Sequence, residues 1–378
     1  MKTLSKALLP LAALALAALF AGCSGGTNDP VGSPVPTAAP QATKQPYETF
    51  EPVSTTEPDD GEQEVVFLDP RFENAIRNKL KIYADTPVRV RDLKNIRMID
   101  LSDLRLTDIR DISKLENLEE LSLASNKIDD LTPLAGLVKL KKLDLRGMGI
   151  TDISALSGLT ELTELVIAYN PISDYTPLSG LVKLQKLDIG DYSYPEHTPP
   201  TDDLSPLAAL TELRELTATL KDTAPLANMT KMKRLELRGS FTDLDGLKNM
   251  SSLMELKLFG NGGPLDLSGI AGLTNLRVLQ IQIFDTADIT PLAGLKELNW
   301  LVLSSMPITD LSPLAGMTHL TDLFIYWTKI TDLSPLYGLK SLTEVGLSYN
   351  DLPESEVKAL RIKLPNALIF QEEEDGEH

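Results

Sequence analysis

One cysteine, three histidines and two tryptophans in 378 residues leave little of the usual material for covalent bracing or for chemistry. With Cys23 alone no disulfide can form within the chain, so stability must come from burial of apolar side chains, for which this length is ample. His197, His319 and His378 have no partner at metal-ligand or triad spacing. Zinc signatures of the His-x-x-x-His or Cys-x-x-Cys kind are missing, as are a Gly-x-Ser-x-Gly elbow and a phosphate-binding glycine loop. The paired carboxylates Asp129-Asp130 and Asp202-Asp203 belong to a repeated structural position described next. No catalytic residue, metal site or cofactor is therefore expected. Cations are also scarce, with 36 Lys and Arg against 54 Asp and Glu and a formal charge of −18. Phosphate backbones require clustered cations, and no window supplies a basic stripe, so nucleic acid is not an expected ligand.

What the chain has in abundance is leucine at a fixed period. Taking the first large apolar residue of each unit, starts fall at Leu93, Leu115, Leu137, Leu159, Leu181, Leu210, Met229, Met250, Leu273, Leu295, Met317 and Leu339. Most spacings are twenty-two residues, and an irregular middle separates two regular arrays. The best-preserved unit, Leu115 to Gly136, reads LENLEELSLASNKIDDLTPLAG. Alternation in Glu120-Leu121-Ser122-Leu123-Ala124 predicts a short strand with Leu121 and Leu123 inward and Glu120, Ser122 and Ala124 on the open face. Asn126, Asn170, Asn261 and Asn350 occupy one position after the strand, and their amides are expected to form a buried ladder with backbone groups. Asp130-Leu131-Thr132-Pro133-Leu134 predicts a capped helical turn on the convex side. Equivalent steps occur at 203–207, 288–292, 310–314 and 332–336, and Gly136, Gly158, Gly180, Gly294, Gly316 and Gly338 are expected to turn the chain back. No unit of this size buries its own leucines, so neighbours must stack into a continuous core.

These units resemble the bacterial internalin-type class of leucine-rich repeats over residues 65–370. The resemblance implies an α/β solenoid: a right-handed horseshoe of about twelve coils, with a parallel concave sheet and short helical turns outside. Strands spaced ~4.8 Å apart would make that sheet about 55 Å long. An N-terminal helical cap (64–92) is expected, with Asp69 as N-cap, Pro70 first and Phe72, Ile76 and Leu80 on one face. The repeats occupy 93–352. A C-terminal cap (353–370) combines a helix from Glu354 to Leu364 with a strand-like Ala367 to Phe370, and an acidic tail (371–378) follows. Invasive internalins continue into an immunoglobulin-like domain and a wall anchor, so host invasion is not the expectation here.

Ahead of the solenoid, residues 1–22 carry Lys2, Lys6 and an apolar stretch from Ala7 to Ala21, as a secretory signal does. They end in Leu19-Phe20-Ala21-Gly22-Cys23-Ser24, which resembles the lipobox of bacterial lipoproteins. That resemblance implies lipid attachment at Cys23 and a stable membrane anchor on the extracytoplasmic face of a bacterial envelope. Residues 23–63 form a Pro-rich acidic linker without apolar periodicity, able to reach about 120 Å where extended. The acidic runs at 59–62 and 372–375 are expected to be solvated.

Register identifies the concave side chains. The early coils offer Asp100, Ser102, Glu120, Ser122, Lys142, Asp144 and Arg146, an ordinary solvated face. The later coils offer Trp300 and Val302, then Phe324, Tyr326 and Trp327, then Tyr349, which adjacency should gather into one partner-binding patch. The other reading is that Trp327 or Tyr349 packs on the rim or the C-terminal cap. An insertion from Asp191 to Pro200 carries Tyr192, Tyr194 and His197 as secondary candidates, unless it is only a decayed repeat. Ala218, where a core leucine is usual, predicts a packing defect in the irregular coils. The expected function is a non-catalytic, surface-displayed monomer recognising a protein partner through its concave face, with a glycan or wall polymer, or a passive scaffold, as alternatives.

Overall fold

A computed structural model of the chain describes residues 60–191 and 203–371. Cys23, nearly all of the linker, and Tyr192, Tyr194 and His197 of the insertion lie outside the described residues. Glu57–His378 forms a compact unit of its own.

Each coil delivers one strand to a single parallel sheet whose thirteen members follow chain order. The first five are β1 (Met98–Asp100), β2 (Glu120–Ser122), β3 (Lys142–Asp144), β4 (Glu164–Val166) and β5 (Lys186–Ile189). Next come β6 (Glu215–Leu220), β7 (Arg234–Gly239), β8 (Glu255–Phe259) and β9 (Val278–Gln282). The array ends with β10 (Trp300–Ser304), β11 (Asp322–Tyr326), β12 (Glu344–Gly346) and β13 (Leu368–Phe370). Leu121 stacks in register on Leu143, and Leu143 on Leu165, so equal repeat positions become neighbours. Inward residues such as these are buried, and the core runs unbroken from Phe72 to Leu364.

Both ends carry a cap. Helix α1 (Pro70–Leu80) begins at Asp69, whose carboxylate accepts the Arg71 N–H at 2.8 Å. Its Phe72 and Ile76 are buried over the first coil, and a short helix α2 (Val90–Leu93) follows. At the far end α3 (Glu354–Lys363) leads into β13. The solenoid begins slightly earlier than the linker boundary suggested: Asp60–Glu62 forms a turn, and Glu62, expected to be solvated, pairs with Arg89 and Arg91.

The convex turns are 3-10 helices fixed by their aspartates. Asp130 Oδ1 accepts the Thr132 N–H at 2.8 Å, and Asp108, Asp152, Asp174, Asp203, Asp288 and Asp310 make the same contact two residues ahead. Hydrogen bonds to the charged form from the side chain and the backbone N–H of the residue two ahead, the Arg110 guanidinium foremost at Asp108, hold the seven carboxyls below the ordinary value of 3.8. A carboxyl depressed on folding stabilises the fold above its unfolded value and loses that contribution as pH falls through the folded one. The denaturation midpoint is therefore expected to hold from neutrality to about pH 4 and to drop progressively below it, in enough salt to screen long-range repulsion. Equal midpoints at pH 3 and pH 7 would contradict this origin.

Several local expectations are corrected. Asn126 is buried, donating to Leu101 O and Leu123 O at 2.8 Å and accepting the Leu106 N–H at 2.8 Å, and Asn170 and Asn350 repeat the pattern. Asn261, however, is exposed. In that stretch the coils pack Phe241 and Phe284 together, ring centres 5.6 Å apart, so the ladder is interrupted by aromatic core. Ala124 is buried and not open, because the chain turns at Ser125 (φ 59°) immediately after it. The returning glycines do not need their conformational freedom: Gly136, Gly158 and Gly180 have ordinary φ, and an added Cβ would meet nothing within 4 Å.

The irregular middle keeps its strand pairing without interruption. Ala218 is wholly buried, paired between Ile189 and Leu237. Strands β6 and β7, six residues each, are twice the length of β1 to β4.

Candidate functional site

The concave face divides into two halves of different chemistry. Its first column runs Glu120, Lys142, Glu164, Lys186, Glu215, Arg234, Glu255, each in register with the next. Signs alternate at every step. Lys142 Nζ lies 3.6 Å from Glu120 and 3.4 Å from Glu164, and Arg234 pairs with Glu215. Glu164 first, then Glu120, raises the Lys142 ammonium above its usual range. Within the second column and beside it, Arg238 pairs with Glu236 and Lys257 with Glu255, both at 2.7 Å. A shallow depression over β5 to β8 is lined by these same groups, so it offers little net charge to a ligand.

After β8 the first column changes to Val278 and Trp300, and the second to Gln280, Val302 and Phe324. Here the aromatic residues named from sequence come together in one line. Trp300 and Phe324 have ring centres 6.2 Å apart, Phe324 and Tyr326 6.1 Å, and Tyr326 and Trp327 6.1 Å. Trp327 and Tyr349 stack at 4.5 Å with planes 3° apart. The line spans β10, β11 and the turn after β12, so the patch is contiguous.

Its members are not equally accessible. Val302 (5% exposed) and Phe324 (8%) are buried, contrary to the expectation that they present themselves to a partner. The cause is Gly346 on the neighbouring strand: a Cβ there would stand 2.7 Å from Phe324 Cδ1 and 2.9 Å from Tyr326 Cζ. Without a side chain at 346 the Phe324 ring lies down over β12, and Tyr326 leans over it. Phe324 and Val302 form a floor; half-buried Trp300, Tyr326 and Tyr349 and exposed Trp327 form the presented surface.

Trp327 (φ 51°) and Tyr349 (φ 60°) occupy a left-handed turn position that recurs along the array as Ser125 (59°), Tyr169 (57°) and Ser305 (56°). That conformation is uncommon for bulky side chains, and serines satisfy it elsewhere in this molecule. The turn does not require aromatic rings. They pack on each other along the rim, as the rim-packing reading anticipated in part, yet Trp327 retains 39% exposure.

Sequence reasoning missed two members of this face. Leu368 (61% exposed) and Phe370 (40%) stand in register with Glu344 and Gly346, which extends the apolar surface to the end of the sheet. The strand itself was legible, and alternation alone would have assigned its outer residues. Phe259 was missed as well; the Arg238 guanidinium lies 4.2 Å over its ring at the border of the charged half. His319 is an exposed flank residue whose Nδ1 lies 3.7 Å from Glu297, away from the patch.

Two copies of a family described as Leucine Rich repeats (2 copies) match residues 94–136 and 138–180. Among solved structures, the internalin InlF of Listeria monocytogenes is 31% identical, with a TM-score of 0.73 over 82% of this chain and 91% of that one. A second internalin of that organism, InlC2, is 25% identical over 75% of this chain and 93% of its own, at a TM-score of 0.33. No curated protein matches the chain.

Proposed function

The chain belongs to the internalin-type leucine-rich repeat proteins of bacteria, and from that premise we propose that it is a non-catalytic, surface-displayed module that takes a protein partner on the concave face of β9 to β13. The observation that carries this reading is the continuous aromatic line from Trp300 to Tyr349 beside a charge-cancelled half. Contiguous exposed aromatics are costly in isolation and are enriched where binding energy concentrates. We place the module outside the cytoplasmic membrane, held by lipid on Cys23, and metabolic labelling with a fatty-acid probe should vanish in Cys23→Ala.

Binding to bacterial and host-cell surface proteins would be measured for Trp300→Ala and Tyr326→Ala against Ser122→Ala on the polar half. Each aromatic truncation should cost about 2 kcal/mol or more, roughly thirtyfold in Kd, with circular dichroism unchanged. If the aromatic variants bind as the serine variant does, the patch is not the site, and the insertion around Tyr194 becomes the next candidate.

A further inference from the structure

The last strand of the sheet is paired on one side. Leu368 N–H donates to Thr343 O and Phe370 O accepts from Leu347 N–H, both at 2.8 Å. Parallel pairing alternates these directions, so the backbone of Ile369 faces the other way. Among the described residues no strand lies there; the Ile369 carbonyl has one long contact, 3.5 Å, from Arg361 Nη2. Edge strands in soluble proteins are usually guarded by charge or proline. This one carries Leu368 and Phe370, both exposed.

We propose that β13 is a docking edge for a second copy of this chain, the two strands pairing antiparallel about Ile369. The pattern is self-complementary. With Ile369 opposite Ile369 of the second copy, each N–H can donate to the other carbonyl, the arrangement of a hydrogen-bonded antiparallel pair. Leu368 then faces Phe370 of the other copy on the concave side, twice over. Charge agrees with this direction. The sequence that follows β13 is acidic, Gln371-Glu372-Glu373-Glu374-Asp375, while the end of α3 that precedes it exposes Arg361 and Lys363, so antiparallel pairing sets the acidic side of one strand against the basic side of the other. A parallel pair would instead set each acidic run beside its like. A two-fold contact of this kind closes on itself and leaves the N-terminal caps free. The interface is small, so association is weak and grows with local concentration, as on a membrane. It replaces the monomer expected from sequence, and it does not depend on the aromatic patch having a ligand.

Residues 57–378, a compact unit of their own, would be sedimented over a rising concentration series. The weight-average mass should climb from one copy toward two, and less so at high salt. Phe370→Lys and Leu368→Lys, at exposed positions, should hold the mass at one copy, while Tyr83→Lys, on the exposed opposite end, should behave as wild type. Ile369→Pro removes the edge donor without touching a bond to β12 and should also abolish the rise. A unit that stays single at every concentration overturns the proposal, as does a dimer that survives both lysine variants.

Discussion

Gly246→Ala is expected to destabilise the solenoid by about 3 kcal/mol or more, and Gly269→Ala to do likewise, while Gly136→Ala is neutral or slightly stabilising. The three glycines differ in what stands before them. A Cβ on Gly246 would lie 1.9 Å from Thr223 O and 2.5 Å from Thr223 C; on Gly269 it would lie 2.2 Å from Leu244 O and 2.4 Å from Leu244 C. These are backbone atoms of the preceding coil. No rotamer change relieves the overlap, so the coils must separate. Separation would in turn stretch the 3.1 Å bond from Gly246 N–H to the buried Thr223 hydroxyl. Positions 246 and 269 are where other units carry Pro133, Pro177, Pro291, Pro313 and Pro335. Repeat consensus would therefore recommend proline at both, and the geometry says the opposite. Urea midpoints for the three alanine variants decide the matter, and unshifted midpoints at 246 and 269 would sink it.

That contrast shows which parts of the molecule were legible beforehand. Strand positions, aspartate-capped turns, both caps and the gathering of Trp300, Phe324, Tyr326, Trp327 and Tyr349 follow from rules that act within one unit or between equal positions of adjacent units. Twenty-two residues separate such neighbours, so the string itself encodes their contact. Failures came where a side chain depends on a missing one elsewhere. Phe324 is buried because position 346 has no side chain to hold it upright, and Gly246 is indispensable because of how close Thr223 comes. Asn261 is exposed because Phe284 packs against Gly260, a Cβ there standing 2.5 Å from its ring. A residue's own unit says nothing of these distances.

The first coil departs from its repeat in a way the pattern does reveal once the cap is seen. Where most later units have proline it has Asp111, 2% exposed, a carboxylate in a position that the other units fill with proline, alanine or glycine. Its Oδ2 accepts the Leu68 N–H at 2.6 Å and, more weakly, the Asp69 N–H at 3.4 Å, and its Oδ1 pairs with Lys114. Leu68 and Asp69 are the two residues that launch α1, so one side chain of the repeat array holds the entry to the cap. Asp111→Ala should leave those donors without an acceptor and cost about 3 kcal/mol, most of it from the unsatisfied backbone, since Lys114 can turn to solvent. Asp111→Asn keeps a carbonyl oxygen for Leu68 and should lose less. In a stacked array the loss is local first: α1 lifts away, Phe72 and Ile76 are uncovered, and β1 becomes a frayed end. Hydrogen exchange should accordingly quicken over residues 65–100 in the alanine variant while β6 to β10 stay protected. Slow exchange across the cap in Asp111→Ala would mean that apolar packing of α1 alone secures that end, and that the buried carboxylate has no part in it.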